Sequence, residues 1–187
     1  MDLGDYSPSW VANGEWAGIQ VDAGVLYPNS PIDTGYHWHE STFDPDQFAQ
    51  VTVAAAAADL FVGPAVRLAG IGAATYYAYY ASSTARHLVK SVDGTVTVLR
   101  STVAAGVIAG DVLRLEVIGN KLTPFLNGVK DLLVGSDVDT DIASGYAGLA
   151  GLGEGAGTAL SAWESGMIGS APENYSAFAG EPFGEMT

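Results

Sequence analysis

The chain has 187 residues, 48% of them hydrophobic, which is enough for one domain with a substantial core. Acidic residues outnumber basic residues by 21 to 7, and the formal charge of −14 disfavours nucleic acid and acidic membrane surfaces as partners, because both are bound through clustered Lys and Arg. The absence of cysteine excludes disulfides and thiolate metal sites, and no apolar stretch is long enough to cross a bilayer.

The N-terminal part of the chain, residues 1–42, is rich in aromatic residues, proline and glycine. Within it, Trp16–Leu26 predicts a strand on which Ile19 and Val21 share one face. The next segment, Tyr27–Pro31 (YPNSP), has the composition of a turn or loop. We therefore interpret this part as an N-terminal arm that also carries the first strands.

A histidine-rich motif, HWHE, closes this arm. On a strand, His37 and His39 would point to the same side, and with Glu40 they could supply ligands for Zn²⁺. A complete ligand set cannot be read from the sequence, so we expect a surface or interface histidine pair and no metal. Trp38, between the two histidines, is a candidate for an interface or for a platform under a sugar ring.

Alternation of polar and apolar residues predicts the next strands. In Gln47–Val53, for example, Ala49, Val51 and Val53 share one face. The alanine run at 54–58 is too short for a helix and is interpreted as a loop or a single turn. An Asp-Gly pair joins the last two of these strands as a hairpin. The predicted strands after the first are Val62–Leu68, Thr75–Ala81, Leu88–Val92 and Thr95–Ser101.

Four tyrosines divide between the two faces of the strand predicted at 75–81. Alternation places Tyr76 and Tyr80 on one face and Tyr77 and Tyr79 on the other. One pair should pack in the core. For the other pair, which we take to be Tyr77 and Tyr79, the alternatives are core packing, a protein interface or an aromatic platform for a sugar.

The segment 111–148 predicts a β-meander. In Val112–Ile118, three apolar residues alternate with Arg114 and Glu116, whose shared face suggests a cross-strand ion pair. Gly119-Asn120 and Asn127-Gly128 are turn pairs suited to tight hairpins. The pattern therefore predicts three antiparallel strands with one buried face and one solvated face.

An acidic motif, DVDTD, follows the meander. Asp137, Asp139 and Asp141 alternate and could present oxygens to Ca²⁺. The EF-hand pattern requires glycine at its sixth position and glutamate at its twelfth, where this chain has Ile142 and Gly148. We therefore expect no metal here and interpret the motif as a solvated acidic turn.

The C-terminal part contains two further strands and a tail. Tyr146, Leu149 and Leu152 mark one strand, and Ala159–Met167 predicts the closing strand. The tail from residue 170 to 187 lacks periodicity but carries large apolar residues, Tyr175, Phe178, Phe183 and Met186. Because such residues are costly in a solvated tail, we expect an arm that docks on a neighbouring subunit. The alternative is an arm folded back over its own domain.

The order of these segments resembles the concanavalin A-like lectin/glucanase jelly roll of the laminin-G-like kind, from about Phe43 to Ile168. The resemblance rests on DQFAQVTVA, VGPAVRLAG, YYAYY, LVKSVDGTVTVL, GDVLRLEVIGNKLTPFLNGV, SGYAGLAG and the final strand with Trp163. It implies an all-β, antiparallel jelly-roll sandwich, a single domain over 43–168, followed by a C-terminal arm at 169–187.

Domains of this kind are similar to domains in virion proteins of actinobacterial phages, often minor tail proteins. The resemblance therefore implies a structural subunit on a virion, either a capsid decoration or a tail-surface protein, that forms homo-oligomers and binds other virion proteins. The alternative is a carbohydrate-binding module that attaches the particle to a host glycan. The glucanases of this superfamily carry a Glu-x-Asp-x-x-Glu strand, which this chain lacks, so we expect no enzymatic activity, no catalytic residue and no cofactor.

Overall fold

The computed structural model describes residues 10–12, 19–38, 43–69, 74–103, 105–155 and 157–169, with the backbone alone at 10–12, 29–38 and 154. These ranges contain strands and no helix, which confirms the all-β prediction. No helix able to cross a membrane is therefore found in them. The strands are β1 (Trp10–Ala12), β2 (Ile19–Asp22), β3 (Val25–Trp38), β4 (Gln47–Ala55), β5 (Phe61–Leu68), β6 (Tyr76–Ala81), β7 (Arg86–Val92), β8 (Thr95–Thr102), β9 (Val112–Ile118), β10 (Lys121–Leu126), β11 (Val129–Lys130), β12 (Asp137–Val138), β13 (Tyr146–Glu154) and β14 (Ala159–Met167).

The strands form two antiparallel sheets that the long strand β3 joins. Sheet A has the order β11-β10-β9-β4-β14-β3-β2, and β12 also pairs with β10. Sheet B has the order β1-β3-β13-β5-β6-β7-β8. The first residues of β3 pair with β2 and β14, and its later residues pair with β13 and β1. The two sheets pack as a jelly-roll β-sandwich.

The core lies between the sheets because alternate residues of each strand point inward. From sheet A, Leu113, Leu115 and Val117 of β9 are fully buried, as their alternation predicted. From sheet B, Leu88 and Leu149 belong to the same apolar cluster. The predicted buried face of the meander is therefore the inner face of sheet A.

Two-residue turns join the hairpins as the sequence predicted. Asn127 and Gly128 both have positive φ, 52° and 77°, as a type I′ turn requires. Ala23 and Gly24, at 47° and 77°, make an equivalent turn between β2 and β3 that the sequence did not reveal, because alanine rarely adopts this conformation.

Three predictions about local structure need correction. Tyr27–Pro31 is not a loop but part of β3, where the strand passes from sheet A, with Pro28 opposite Ile19, to sheet B, with Asn29 opposite Glu154. This strand, which we had placed ahead of a sandwich at 43–168, belongs to both sheets. The third meander strand is reduced to Val129–Lys130, because the Asp131 carboxylate accepts the backbone N–H groups of the next residues and turns the chain.

Candidate functional site

The outer face of sheet A carries a row of polar side chains across three neighbouring strands. Strand pairing places Gln50 of β4 opposite Glu164 of β14 on one side and opposite Arg114 of β9 on the other. Arg114 in turn lies opposite Phe125 of β10. We call this surface the polar face; its members are Gln50, Arg114, Glu116, Phe125 and Glu164.

Two pairs of side chains on the polar face are held by hydrogen bonds, Arg114 with Glu116 and Gln50 with Glu164. The Arg114 guanidinium lies 3.5 Å from the centre of the Phe48 ring, which it covers. Its Nε donates to Glu116 Oε1 over 2.8 Å, so the predicted ion pair forms, but within β9 and not across two strands. Beside it, Gln50 Nε2 donates to Glu164 Oε2 over 3.3 Å. The row is therefore ordered before any ligand arrives.

This arrangement suits a ligand with many hydroxyl groups. Arg114 has five N–H donors, and the bond to Glu116 uses one of them. Amide, carboxylate and guanidinium groups can each bind two adjacent hydroxyls, and the partly buried Phe125 ring offers an apolar surface beside them. The sequence predicted Arg114 and Glu116 only as an ion pair and named no member of the polar face as a site residue, because the neighbours on this face come from distant parts of the chain.

A buried ionic cluster links the sheets at the inner side of β7. Arg86 Nε lies 2.7 Å from Asp131 Oδ2, and Tyr79 Oη donates to the same oxygen. Burial alone would raise the pKa of Asp131, but the hydrogen bonds from Arg86 and Tyr79 outweigh burial and lower it. Burial, together with the bond to Asp131, raises the pKa of Tyr79. We call these three residues the Arg86 clamp.

A second cluster, the Lys90 clamp, consists of Lys90, Tyr77, Asp139 and Asp141, and so includes two of the three carboxylates of the DVDTD motif. Lys90 Nζ lies 2.6 Å from Asp139 Oδ2 and 2.5 Å from Asp141 Oδ2. Tyr77 Oη donates to Asp139, and burial with this bond raises the pKa of Tyr77 to about 12. The motif is thus neither the calcium loop nor the solvated turn considered from the sequence. Its carboxylates bind a lysine, and Asp137 pairs with Arg100 over 3.2 Å.

The four tyrosines follow the predicted alternation, but both pairs are buried. Tyr77 and Tyr79 face the core between the sheets, so the hypothesis of a surface platform does not apply to them. Tyr76 and Tyr80 lie in a second apolar cluster, on the outer side of sheet B, with their hydroxyl oxygens 2.6 Å apart. Large rings on both faces of β6 are therefore structural.

Other candidates fall partly or wholly outside the described residues. His37 and Trp38 lie at the end of β3, where only the backbone is described. The remaining candidates lie outside the described ranges: His39, Glu40, Tyr175, Phe178, Phe183 and Met186. Within the described ranges, no group of three or more His, Asp or Glu side chains is placed to hold a metal ion.

Comparison with solved structures places the fold among lectin-like sandwiches. The carbohydrate-binding module CBM66 from Bacillus subtilis superposes with a TM-score of 0.60 at 14% identity, over 81% of this chain and 91% of that one. The exoplasmic/lumenal domain of VIP36, in a Ca²⁺/Man3GlcNAc-bound form, gives 0.57 at 12% identity over 90% of each chain. The legume lectin-like domain from Entamoeba histolytica gives 0.55 at 14% identity, over 90% and 94%.

These likenesses establish the concanavalin A-like jelly-roll fold that the sequence resemblance implied, and at such low identity they establish the fold alone. No protein-family model and no curated protein matches the sequence.

Proposed function

We propose that this protein is a non-enzymatic carbohydrate-binding module whose glycan lies on the polar face. The observation that carries the proposal is the ordered row in which Arg114 is paired with Glu116 beside the Phe125 ring, and Gln50 of the next strand is paired with Glu164. The fold supports it, because similar structures include a carbohydrate-binding module and a domain bound to Man3GlcNAc.

The physical basis is the match between this face and a sugar ring. A pyranose presents pairs of adjacent hydroxyls at its edge and C–H groups on its face. The planar groups of Arg114, Gln50 and Glu164 can bind hydroxyl pairs, while Phe125 contacts the apolar face. Because the contact to Phe48 already fixes Arg114, little side-chain entropy is lost on binding.

Glycan arrays followed by calorimetry on the best ligand test this proposal. We expect Arg114→Ala to weaken binding by about 10- to 100-fold, since it removes charge-assisted hydrogen bonds. Arg100→Ala is the matched control, because Arg100 also pairs with an acid but lies on sheet B. Equal affinity of Arg114→Ala and wild type, or no array signal at all, would overturn the proposal. Recovery of the bound glycan uncleaved after long incubation would support a module without hydrolase activity.

A second proposal concerns where the module acts: on the surface of a phage particle, as a capsid decoration or tail-surface subunit. Its support is the sequence resemblance together with exposed aliphatic side chains at one end of the sandwich, where contacts with other virion proteins could form. The Asp111 carboxylate accepts hydrogen bonds from the Ile108 backbone N–H and from Asn127 Nδ2, and these bonds hold the loops at this end of the sandwich together. The exposed residues are Val103, Ile108, Val129, Leu132 and Leu133.

Immunogold electron microscopy of purified particles, with an antibody against this chain, tests the location. Label at the capsid or tail supports the proposal and distinguishes the two positions. Particles without label, from a preparation in which mass spectrometry also fails to find the chain, would contradict it.

A further inference from the structure

One edge of sheet B is a long strand without a neighbour in the described part of the chain. β8 ends the strand order of this sheet, and the backbone of its first seven residues, 95–101, pairs only with β7 among the described strands. Apart from a bulge beside Leu99, the pairing with β7 is regular. Most of its side chains are exposed, including Val96 and Val98.

The other described edges are short or interrupted. On sheet A, β10 is bordered only by the two-residue strands β11 and β12, and Pro124 within β10 has no N–H to donate. The opposite edge, β2, has four residues and ends in Asp22. Short strands, proline and charge are the usual protection of sheet edges against unwanted pairing, and β8 lacks proline and lysine.

We propose that β8 pairs antiparallel with β8 of a second copy of this chain, so that the two B sheets become continuous. A strand edge presents alternating N–H and C=O groups that an antiparallel copy of the same strand complements. Local charge also favours a second copy. Although the chain carries a net charge of −14, no acidic residue occurs from Thr95 to Gly110, and Arg100 is already paired with Asp137.

This dimer would affect glycan binding in a defined way, a consequence that rests on the proposed function. Antiparallel edge pairing generates a two-fold axis perpendicular to sheet B. This axis places the A sheets of both copies on the same side of the continuous B sheet, so the two polar faces point in one direction. Two sites on one side can bind a glycan-coated surface together, and the resulting avidity can exceed the affinity of either site alone.

Sedimentation equilibrium with matched double variants tests the interface. We expect wild type to sediment at twice the chain mass of 19.3 kDa. Val96→Asp with Val98→Asp should raise the dimer Kd at least about tenfold, because four carboxylates would meet across the pair. Val129→Asp with Val138→Asp is the control: it makes the same charge change at exposed positions on the edge of sheet A, and the dimer should persist.

Wild type that stays monomeric at about 100 μM, well above the Kd of a specific homodimer, would overturn the proposal. So would equal dissociation of the two double variants. Calorimetry with soluble glycan separates this result from the proposed function, because a monomeric β8 variant should keep the affinity of each site and lose only avidity on a glycan-coated surface.

Cysteine scanning provides a second, independent readout. The native chain has no cysteine, so each single variant along β8, from Thr95→Cys to Ser101→Cys, carries one thiol. Disulfide formation needs Cβ atoms about 3.5–4.5 Å apart, so cross-linking should peak at the two-fold axis and fall on both sides. Val129→Cys is the exposed control. Cross-linking of that control as fast as the fastest β8 variant would contradict the proposal.

Discussion

Two arginine–carboxylate pairs in this molecule share a short contact from Nε to a carboxylate oxygen and have different surroundings. On the polar face, Arg114 Nε lies 2.8 Å from Glu116, and the side chains are 25% and 20% exposed. Between the sheets, Arg86 Nε lies 2.7 Å from Asp131, and the side chains are 4% and 2% exposed. Burial therefore distinguishes the two pairs: the pair between the sheets is closed to solvent, and the pair on the polar face remains accessible.

The buried pair has little capacity left for a ligand. Asp131 accepts hydrogen bonds from Arg86, from Tyr79 and from two backbone N–H groups that follow it. Two further donors of Arg86, both on Nη1, reach the carbonyls of Ala105 and Gly106. On the polar face, the partly exposed Arg114 keeps donors for a ligand. The first pair should therefore determine stability and the second pair binding.

The largest expected effect comes from breaking the buried pair. Asp131→Asn removes one charge and leaves the Arg86 guanidinium buried without its partner, which should cost about 3–5 kcal/mol in the free energy of unfolding. Urea unfolding followed by tryptophan fluorescence measures this loss. Glu116→Gln makes the same chemical change at the exposed pair and should cost under about 1 kcal/mol. Equal losses in the two variants would show that burial does not distinguish the pairs.

Acid should unfold the protein through the interior carboxylates. Hydrogen bonds from Arg86 and Lys90 outweigh burial and hold the pKa values of Asp131 and Asp139 below the ordinary 3.8. A carboxyl whose pKa is lower in the folded state stabilises the fold above the unfolded value and loses that contribution as the pH falls through the folded value. Stability should therefore fall steeply below about pH 4, as a melting series from pH 7 to pH 2 would measure.

Asp131→Asn provides the control for this series. Because the variant lacks one of the two responsible carboxyls, its melting temperature should start lower and depend less on pH in the acid range. A pH dependence identical to that of wild type would assign acid unfolding to other groups.

The sequence predicted those structural features that depend on residues close together in the chain. Alternation gave the faces of β4, β6 and β9, and the ion pair of Arg114 with Glu116 two residues away. It could not reveal contacts between distant segments: Arg86 and Asp131 are 45 residues apart, and Gln50 and Glu164 are 114 apart. Such partners depend on strand order, which alternation does not determine. For the same reason the DVDTD motif could not be linked to Lys90.

We expect only a weak response to Ca²⁺ at the Lys90 clamp. Here too carboxylates meet a cation, but Asp141 is more than half exposed, so a metal ion could reach the cluster from solvent. A ligand stabilises a fold only through native sites that it occupies, and the Lys90 ammonium already lies between Asp139 and Asp141. Asp139 also accepts a hydrogen bond from the Tyr77 hydroxyl, which a metal would have to displace.

We therefore expect millimolar Ca²⁺ to raise the melting temperature by under about 2 °C. A native site exposed to Ca²⁺ at 100 times its Kd would instead stabilise the fold by about 2.7 kcal/mol. Differential scanning fluorimetry with Ca²⁺, and with Mg²⁺ at equal ionic strength, measures the shift. A rise of many degrees with Ca²⁺ alone, abolished by Asp139→Asn together with Asp141→Asn, would show that metal displaces lysine from the clamp.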